Sequence, residues 1–378
     1  MKSVLGIGII GCGNISATYL ELIPMFRNIA VVAVADINTE AAESRGADFN
    51  VPAQSVKALL ANEAVDIVLN LTVPAVHFAV TKQALMAGKH VYSEKPLTLS
   101  MKDARALQAL AARRKRHVAA APDTFLGGSP QMIRKLVDEG AIGKVASGTA
   151  HILSPGMEHW HPNPDFFFKP GGGPILDMGP YYITSLVSLL GPVKRVAALA
   201  ATPRRQRPIS SVPRAGEMLK VTTPTTYHAL LHFAQGATIT LSASWDVFAH
   251  RHQPMELYGT EGAIFVPDPN FFGGDVVLAG KDGEARSVDL WDHPFTPPNW
   301  KDQEGNLWPN YRAAGIADMA DGILHRRDIR CDISRTAHVV EVMTAIADSS
   351  RTGKFVTLKS TCKRPKPLLP DDARALLK

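Results

Sequence analysis

A chain of 378 residues is long for one domain and leaves room for two, each able to bury its own core. With 46% hydrophobic and 20% charged residues the composition is that of a soluble globular protein, and no apolar run approaches the roughly 20 residues of a membrane span. The formal net charge of +6 does not indicate nucleic acid: residues 359–378 hold six Lys/Arg and two Asp, +4 of the total, and PRRQRP (203–208) has no interleaved aromatics, so both stretches are expected to be solvated.

The chain opens on MKSVLGIGIIGCG, where Lys2 precedes apolar residues. The β-branched residues and closely spaced glycines read as a strand entering a loop, not as a signal peptide, and no small-residue cleavage pattern follows. Through residue 122, strand-like runs at 4–10, 31–36, 66–72, 89–93 and 117–122 alternate with helix-like stretches at 55–63, 75–88 and 100–115. Gly88 is a helix stop, and Ser100 is the expected N-cap of the third stretch, with Asp103 in its first turn. Strand, helix, strand at this spacing means βαβ units and a parallel sheet covered by helices.

Beyond residue 122 the pattern changes. A helix is expected over 130–140, then β-rich runs. In ATITLSASWDV (237–247), Ile239, Leu241, Ala243, Trp245 and Val247 point one way; Thr238, Thr240, Ser242, Ser244 and Asp246 point the other. Gln235-Gly236 supplies a hairpin turn before it, and the alternation describes an antiparallel sheet with one packed face. A helix returns at 336–350. The expected architecture is α/β: a doubly wound parallel domain (1–122), an α+β domain (123–358) and a basic tail (359–378). Cys12, Cys331 and Cys362 lack metal-type spacing and argue for a reducing compartment, hence a cytoplasmic protein.

GIIGCGNIS (8–16) lies at the first strand-to-helix turn. Gly11 and Gly13 match the first two glycines of a dinucleotide fingerprint. The first permits the tight turn; the second lets backbone approach a pyrophosphate, which then faces the helix N-terminus at Asn14 and Ile15. Ser16 replaces the third glycine and is small enough for close packing. A plain strand–helix turn looks similar, but Asp36, 25 residues after Gly11, adds to the case. Its carboxylate can accept both adenosine ribose hydroxyls and repels a 2′-phosphate, and no Arg follows before Arg45, so NAD is expected over NADP. Read differently, Asp36 is a cap or turn residue. Cys12 is taken as a small side chain tucked beside the cofactor.

Thr72-Val73-Pro74 and Ser93-Glu94-Lys95-Pro96 occupy strand carboxyl ends, where a doubly wound sheet binds ligands. Pro96 removes a donor and fixes the turn, presenting Lys95. An ammonium beside a positive nicotinamide is expected to titrate low and to help hold an alkoxide. Glu94 orients Lys95 or contacts the cofactor ribose. The competing reading is a surface salt bridge capping the next helix.

These stretches resemble the Gfo/Idh/MocA oxidoreductases. GCGNIS, VADIN, VPAVHFAVTKQALMAGKHVYSEKPL and GGGPILDMGPYY carry the resemblance, with Glu-Lys-Pro 82 residues before an Asp-x-x-x-aromatic pattern. The resemblance implies a Rossmann domain followed by a domain with a large open, mostly antiparallel sheet, and NAD(P)-dependent oxidation or reduction of a sugar or polyol carbon. Carried over by position, it implies Lys95 as the Glu-Lys-Pro lysine and Asp177 as the acidic substrate-binding residue. Four residues on, the inositol dehydrogenase branch usually has His; here stands Tyr181, as in glucose–fructose oxidoreductase and dihydrodiol dehydrogenase. His77 lies where the family contacts the cofactor region, or merely caps the helix after Pro74.

Asp177 and Tyr181 share a face if a helix starts near residue 176, and Gly171-Gly172-Gly173 gives backbone free to approach the cleft. Tyr181 is assigned as proton acceptor in alcohol oxidation, Lys95 as its tuning charge, Asp177 as the anchor of a substrate hydroxyl. One of Tyr181 and Tyr182 is expected to pack under the helix. In MEHWHPNPDFFFKPGGG (157–173), Trp160 can stack on a sugar ring and His161 can bond a hydroxyl or act as alternative acid/base; loop anchoring is the bland reading. His159 and His161 could pair on a metal, but nothing completes the site, and no metal is expected. Asp123 follows another strand end and is a substrate-binding candidate. Arg312 either reaches substrate or pairs with Asp318. Three functions stand: an NAD-dependent sugar or polyol dehydrogenase, an NAD-dependent glycosidase-type enzyme, and a non-catalytic NAD- and sugar-binding regulator. A homodimer or homotetramer through the open sheet is expected, with no nucleic-acid or membrane partner.

Overall fold

The computed structural model of the chain describes residues 2–289, 291–302 and 305–378. The first half is β1 (Leu5–Ile10), α1 (Asn14–Leu22), β2 (Ile29–Ala35), α2 (Thr39–Phe49), α3 (Val56–Ala61), β3 (Ile67–Asn70), α4 (His77–Met86), β4 (His90–Ser93), α5 (Met101–Arg114) and β5 (Val118–Ala120). Its strands form a parallel sheet in the order β2-β1-β3-β4-β5. Every residue of β1 and β3 is buried, as both-faces-covered parallel strands require. The chain leaves β1 toward β2 and returns to β3 on the other side. The loops after these two strands therefore diverge and open a crevice outside their carboxyl ends. Ser100 caps α5 as expected, accepting from the Asp103 N–H at 3.1 Å. The sequence reading missed α2. It buries only Ala42 and Gly46, so it has almost no apolar stripe; the Asn38 side chain starts it by accepting from Glu40 and Ala41 N–H groups.

The second half runs α6 (Gly128–Asp138), β6 (Val145–Leu153), α7 (Pro174–Asp177), α8 (Gly179–Leu190), β7 (Val193–Ala201), the hairpin β8 (Gln206–Pro208) and β9 (Met218–Lys220), then β10 (Thr226–Phe233), β11 (Thr238–Ser244), β12 (Met255–Gly259), β13 (Ala263–Val266), β14 (Val277–Ala279) and β15 (Ala285–Ser287). The small hairpin β16 (Trp300–Lys301) and β17 (Leu307–Trp308) follows, then α9 (Ala314–His325), α10 (Ile333–Thr352), β18 (Val356–Thr357) and α11 (Pro370–Arg374). Among the described residues the large sheet has nine strands, β15-β14-β13-β12-β6-β11-β10-β7-β18, antiparallel except for the β6–β11 pair. The expected alternation in β11 holds for Ile239, Leu241, Ala243 and Trp245, all wholly buried, but the strand ends at Ser244, before Val247. Ser242 and Ser244 are buried too, because His228 and Thr226 across the pair bond their hydroxyls at 3.0 and 2.7 Å. Gly236, at φ +107, makes the β10–β11 turn.

One core joins α5, α8 and α10 to the large sheet; another packs β1, β3 and α1 against α9 and the C-terminal residues. Two basic stretches expected to be solvated are so only in part: most of their residues are exposed, but each is anchored by buried ones. Arg207 is wholly buried: Nε donates to Glu158 at 2.6 Å, Nη1 to Asp246 at 3.2 Å and Nη2 to the Trp245 carbonyl at 2.6 Å, with the Phe168 ring 5.0 Å away. Two carboxylates and two carbonyls offset the desolvation of its charge. Residues 359–378 also pack. Leu368 and Ala373 are wholly buried, Leu377 bridges Phe26, and Arg330 and Arg134 donate to the carbonyls of Lys366, Pro367 and Pro365.

Candidate active site

Gly11 has φ +107, and a Cβ there would lie 2.6 Å from the Leu71 backbone, so β1 turns into α1 only with glycine. A Cβ on Gly13 would meet nothing within 4 Å. Gly13 is also the N-cap of α1, with no side-chain cap and no acid in the first turn. Asn14 and Ile15 thus open α1 beside an exposed glycine and without a side-chain cap, which fits a pyrophosphate at a helix N-terminus. Ser16 is buried and donates to the Gly13 carbonyl at 2.6 Å, closing the turn. Asp36 follows β2. Its Oδ2 accepts the Cys12 N–H at 2.8 Å and its Oδ1 the Asn38 N–H at 2.9 Å, so the acid is fixed beside the glycine loop. The Cys12 thiol is buried and pushed up to about 11 by burial, then by Asp36, which makes it an inert packing group.

The loop after β3 is shaped by Asn70, which the sequence reading did not single out. Wholly buried, it donates to Thr81 and to the His77 carbonyl at 3.1 Å and accepts the Thr72 hydroxyl at 2.6 Å. A polar residue ending the apolar run DIVLN was the available signal. Thr72 and Pro74 line the surface of this loop, half-buried. His77 does not. Its ring is wholly buried, Nε2 2.8 Å from the Thr72 carbonyl and Nδ1 2.7 Å from the Pro96 carbonyl. It ties the two strand-end loops together, and its nitrogens are unavailable to a cofactor.

Glu94 likewise turns inward. It is 7% exposed and holds three groups: Tyr19 Oη at 2.9 Å, the Lys95 N–H at 2.8 Å and Arg312 Nη1 at 3.3 Å. Burial pushes its acidity one way, but Arg312 and Lys95 outweigh it and hold the carboxyl below its ordinary range. Glu94 is therefore a buried anchor that orients Lys95 and not a surface helix cap. It fixes α1, the Lys95 backbone and Arg312 to one another. Tyr19, also unforeseen, is buried by the α1 core, and burial beside Glu94 raises its phenol well above the ordinary value. Arg312 pairs with Glu94 and not with Asp318, which takes Arg330 at 2.6 Å.

Lys95 reaches the second half. Nζ donates to Asp177 Oδ1 and to the Asp177 carbonyl, both at 2.8 Å, and lies 5.2 Å from the Tyr181 ring centroid. The expectation of a low-titrating amine is overturned: burial pushes it down, but Asp177, Tyr181 and Glu94 outweigh that, and Lys95 is held above the usual lysine range. Asp177 ends α7 and Tyr181 stands in the first turn of α8, so the helix breaks at Met178 while the two side chains still meet Lys95. Both tyrosines pack in the core, Tyr181 at 5% and Tyr182 at 3% exposure; the Tyr182 hydroxyl turns to Asp268 and is raised by burial.

Asp123 is buried at 1% exposure, and its Oδ2 accepts the Ala313 and Gly315 N–H groups at 3.1 and 3.0 Å. Burial raises it to about 6, against the pull of Arg312. It clamps the start of α9 and is not free for substrate. His161 is half-buried, with Nδ1 accepting from Asn163 at 3.0 Å; burial lowers it, and Asp177 lies close enough to oppose that. Trp160 is 58% exposed, its ring 5.3 Å from His161. Among the described residues no cluster of His, Cys, Asp or Glu could hold a metal ion. No helix among them is long and apolar enough to cross a membrane.

Two family models match the chain: the oxidoreductase family NAD-binding Rossmann fold over residues 5–121, and the GFO/IDH/MocA C-terminal domain over 131–265. A dTDP-3,4-didehydro-2,6-dideoxy-alpha-D-glucose 3-reductase of Saccharopolyspora spinosa is 30% identical over 274 residues, 70% of this chain and 75% of that protein. Inositol 2-dehydrogenase of Rhizobium meliloti is 24% identical over 68% of this chain and 74% of its own length. A levoglucosan dehydrogenase solved with NADH and L-sorbose shares the fold at a TM-score of 0.79, 20% identical, over 95% of this chain and 100% of that one. With the glycine loop, the strand-end lysine and both domains accounted for, the chain belongs to the Gfo/Idh/MocA oxidoreductase family.

Proposed function

We propose that this protein is an NAD-dependent dehydrogenase acting on a secondary alcohol or lactol carbon of a sugar or polyol, with Lys95, Asp177 and Tyr181 as its catalytic residues. The observation that carries this is the meeting of Lys95 with Asp177 and Tyr181 at the carboxyl end of β4. The sugar-directed names of the relatives support the substrate class. NAD bound along the glycine loop, with Asp36 at the adenosine ribose and Thr72 and Pro74 beside the nicotinamide half, would accept hydride from the alcohol carbon.

Lys95 has three N–H donors and spends two on Asp177, leaving one for the substrate oxygen. Because it stays protonated, it stabilises an alkoxide and is not the base. Tyr181 takes the hydroxyl proton, assisted by the ammonium beside its ring. Asp177 places the lysine and accepts from a neighbouring hydroxyl. His161 and Trp160 border this group from the 157–173 loop, and Arg312 backs it through Glu94. The exposed Leu199 on β7 and Leu230 on β10 stand on the open face of the large sheet, which supports self-association through that face. Three free buried cysteines fit a cytoplasmic setting.

A panel of sugars and polyols with NAD tests the reading: NADH should rise with at least one. Tyr181→Phe and Lys95→Ala should each lower kcat about 100-fold or more while NAD still binds. Leaving-group release without NADH, or undiminished turnover in Tyr181→Phe, refutes the mechanism.

A further inference from the structure

The stretch PRRQRP runs into the hairpin β8–β9, which stands apart from both main cores. The hairpin packs on a third, smaller core: Met157, Phe167 and Phe168 from the 157–173 loop, Ile209, Leu219 and Val221 from the hairpin and its ends, and Trp245 just after β11. The loop joins β6 to α7 and ends at Gly173, four residues before Asp177. A Cβ on Gly171 would lie 3.3 Å from Leu99 Cδ1, so the end of the loop lies against the segment that follows Lys95-Pro96.

The hairpin holds the loop at three places. Arg207 Nε donates to Glu158 Oε1 at 2.6 Å. The Ser210 and Ser211 N–H groups donate to the Glu158 carbonyl at 2.9 and 3.2 Å, and the Ser211 hydroxyl donates to the His161 carbonyl at 2.6 Å. Arg214 pairs with Asp165. The Trp160 and His161 N–H groups bond back within the loop, to the Met157 carbonyl at 3.3 and 3.0 Å. The turn that carries these two side chains is therefore fastened to the hairpin through Glu158 and His161.

The charges single out Arg207. It is wholly buried, and Glu158 is 6% exposed. Its other acid, Asp246, has further partners: Arg204 at 3.1 Å and the hydroxyls of Thr225 and Thr226 at 2.6 and 3.1 Å. The Glu158 side chain has no partner besides Arg207 among the described residues, and its Oε2 is buried unbonded. Without the guanidinium, Asp246 stays satisfied while Glu158 becomes an unpaired buried charge, which is strongly unfavourable. Its carboxylate then has to reach water, and Trp160 and His161 follow it by two and three residues. Lysine cannot replace the arginine, since one guanidinium spans both carboxylates and the carbonyls of Pro155 and Trp245.

We infer that Arg207 is the positioning residue of the substrate loop: through Glu158 it sets where Trp160 and His161 stand beside Asp177, and so which sugars or polyols the site admits. The identity of the substrate rests on the dehydrogenase reading above. Arg207, wholly buried, meets neither substrate nor cofactor, and proton and hydride transfer stay with Tyr181, Lys95 and the nicotinamide. Its effect therefore falls on substrate binding and not on the chemical step.

Hydrogen exchange of the full chain, read by mass spectrometry, tests the tie without any substrate. In Arg207→Met, peptides covering 157–168 should exchange about tenfold faster or more, with those of β1 to β5 unchanged. Steady-state kinetics with the best sugar or polyol of the panel tests the role: KM should rise about tenfold and kcat fall less than about threefold, while NADH binds with unaltered affinity in a fluorescence titration. Arg207→Met/Glu158→Gln, which removes the stranded charge, should do no worse than Arg207→Met alone. Ser211→Ala deletes the bond to the His161 carbonyl and should raise KM several-fold; it carries the test if Arg207→Met does not fold. Unchanged exchange over 157–168, a KM unaltered in Ser211→Ala, or kcat and NADH affinity falling in step with KM overturns the proposal. Where no sugar or polyol is turned over, the dehydrogenase reading fails by itself, and the exchange measurement still decides whether Arg207 holds the loop.

Discussion

Lys95 shows how a single ion pair decides what a residue can do. Its pKa is raised, because Asp177 and its other neighbours outweigh burial. A raised lysine contributes stability that is fully present below its ordinary value of 10.5 and lost only as pH climbs through the higher, folded value. Lys95 therefore stays an ammonium across the neutral range, and any acid limb in the rate belongs to another group, with His161 the nearest lowered candidate. The proposed preference for NAD rests on Asp36 in the same local way. Its two oxygens each accept one backbone N–H and keep a lone pair for ribose hydroxyls, and Arg45 is drawn to Asp48 at 3.4 Å. Wild-type protein should bind NADH more tightly than NADPH in a fluorescence titration, and Asp36→Ser should erase about tenfold or more of that gap. Tenfold tighter NADPH in the wild type sinks the NAD preference.

At the scale of elements, the site depends on how α9 is seated. Its start is held by Asp123 through two backbone N–H groups, and Gly315 lets it approach β4: a Cβ there would lie 2.3 Å from the Tyr92 hydroxyl and 2.9 Å from Asp123 Cβ. Gly315→Ala should destabilise the protein by about 1–3 kcal/mol in denaturant titration, the cost of overpacking. Tyr92→Phe removes a buried hydroxyl with no bonding partner among the described residues, so it should be neutral or stabilising alone and should partly rescue Gly315→Ala. Additive effects in the double variant would show that the two side chains do not collide. The same region shows where sequence reading stops. The glycine loop, Asp36, the Glu-Lys-Pro turn and the Asp177–Tyr181 spacing were legible because each is a local pattern at a strand or helix end. The inward turn of Glu94 was not: its partners Tyr19 and Arg312 lie 75 and 218 residues away, and nothing periodic links them. Asp123 looked free for the same reason, since its partners are backbone groups of Ala313 and Gly315.

At the scale of the molecule, the two halves are fastened by a segment whose composition suggested solvent. Residues 359–378 are basic, and a reading by charge sees the lysines while missing the leucines between them. Leu368 is wholly buried, and its N–H donates to Gln131 at 2.7 Å; Leu376 is 2% exposed. The Leu376 carbonyl accepts the Arg27 N–H, the Lys378 N–H donates to Met25, and Leu377 bridges Phe26, so the end of the chain lies against the turn between α1 and β2. The segment thus runs from α6 of the second half to the cofactor-binding half, past Arg134 and Arg330, which hold its carbonyls. If it is a structural strap, its leucines matter more than its charges. Leu368→Ala should cost about 2–5 kcal/mol in chemical denaturation, as for other wholly buried leucines. Lys359→Ala, at an exposed position, should cost less than about 0.5 kcal/mol. Because Leu368 packs in the core that contains β1 and α1, the loss should also weaken NAD binding in Leu368→Ala, an effect that neutralising the exposed lysine does not produce. A Leu368→Ala protein with wild-type stability would mean that the segment rests on the surface without fastening the halves together.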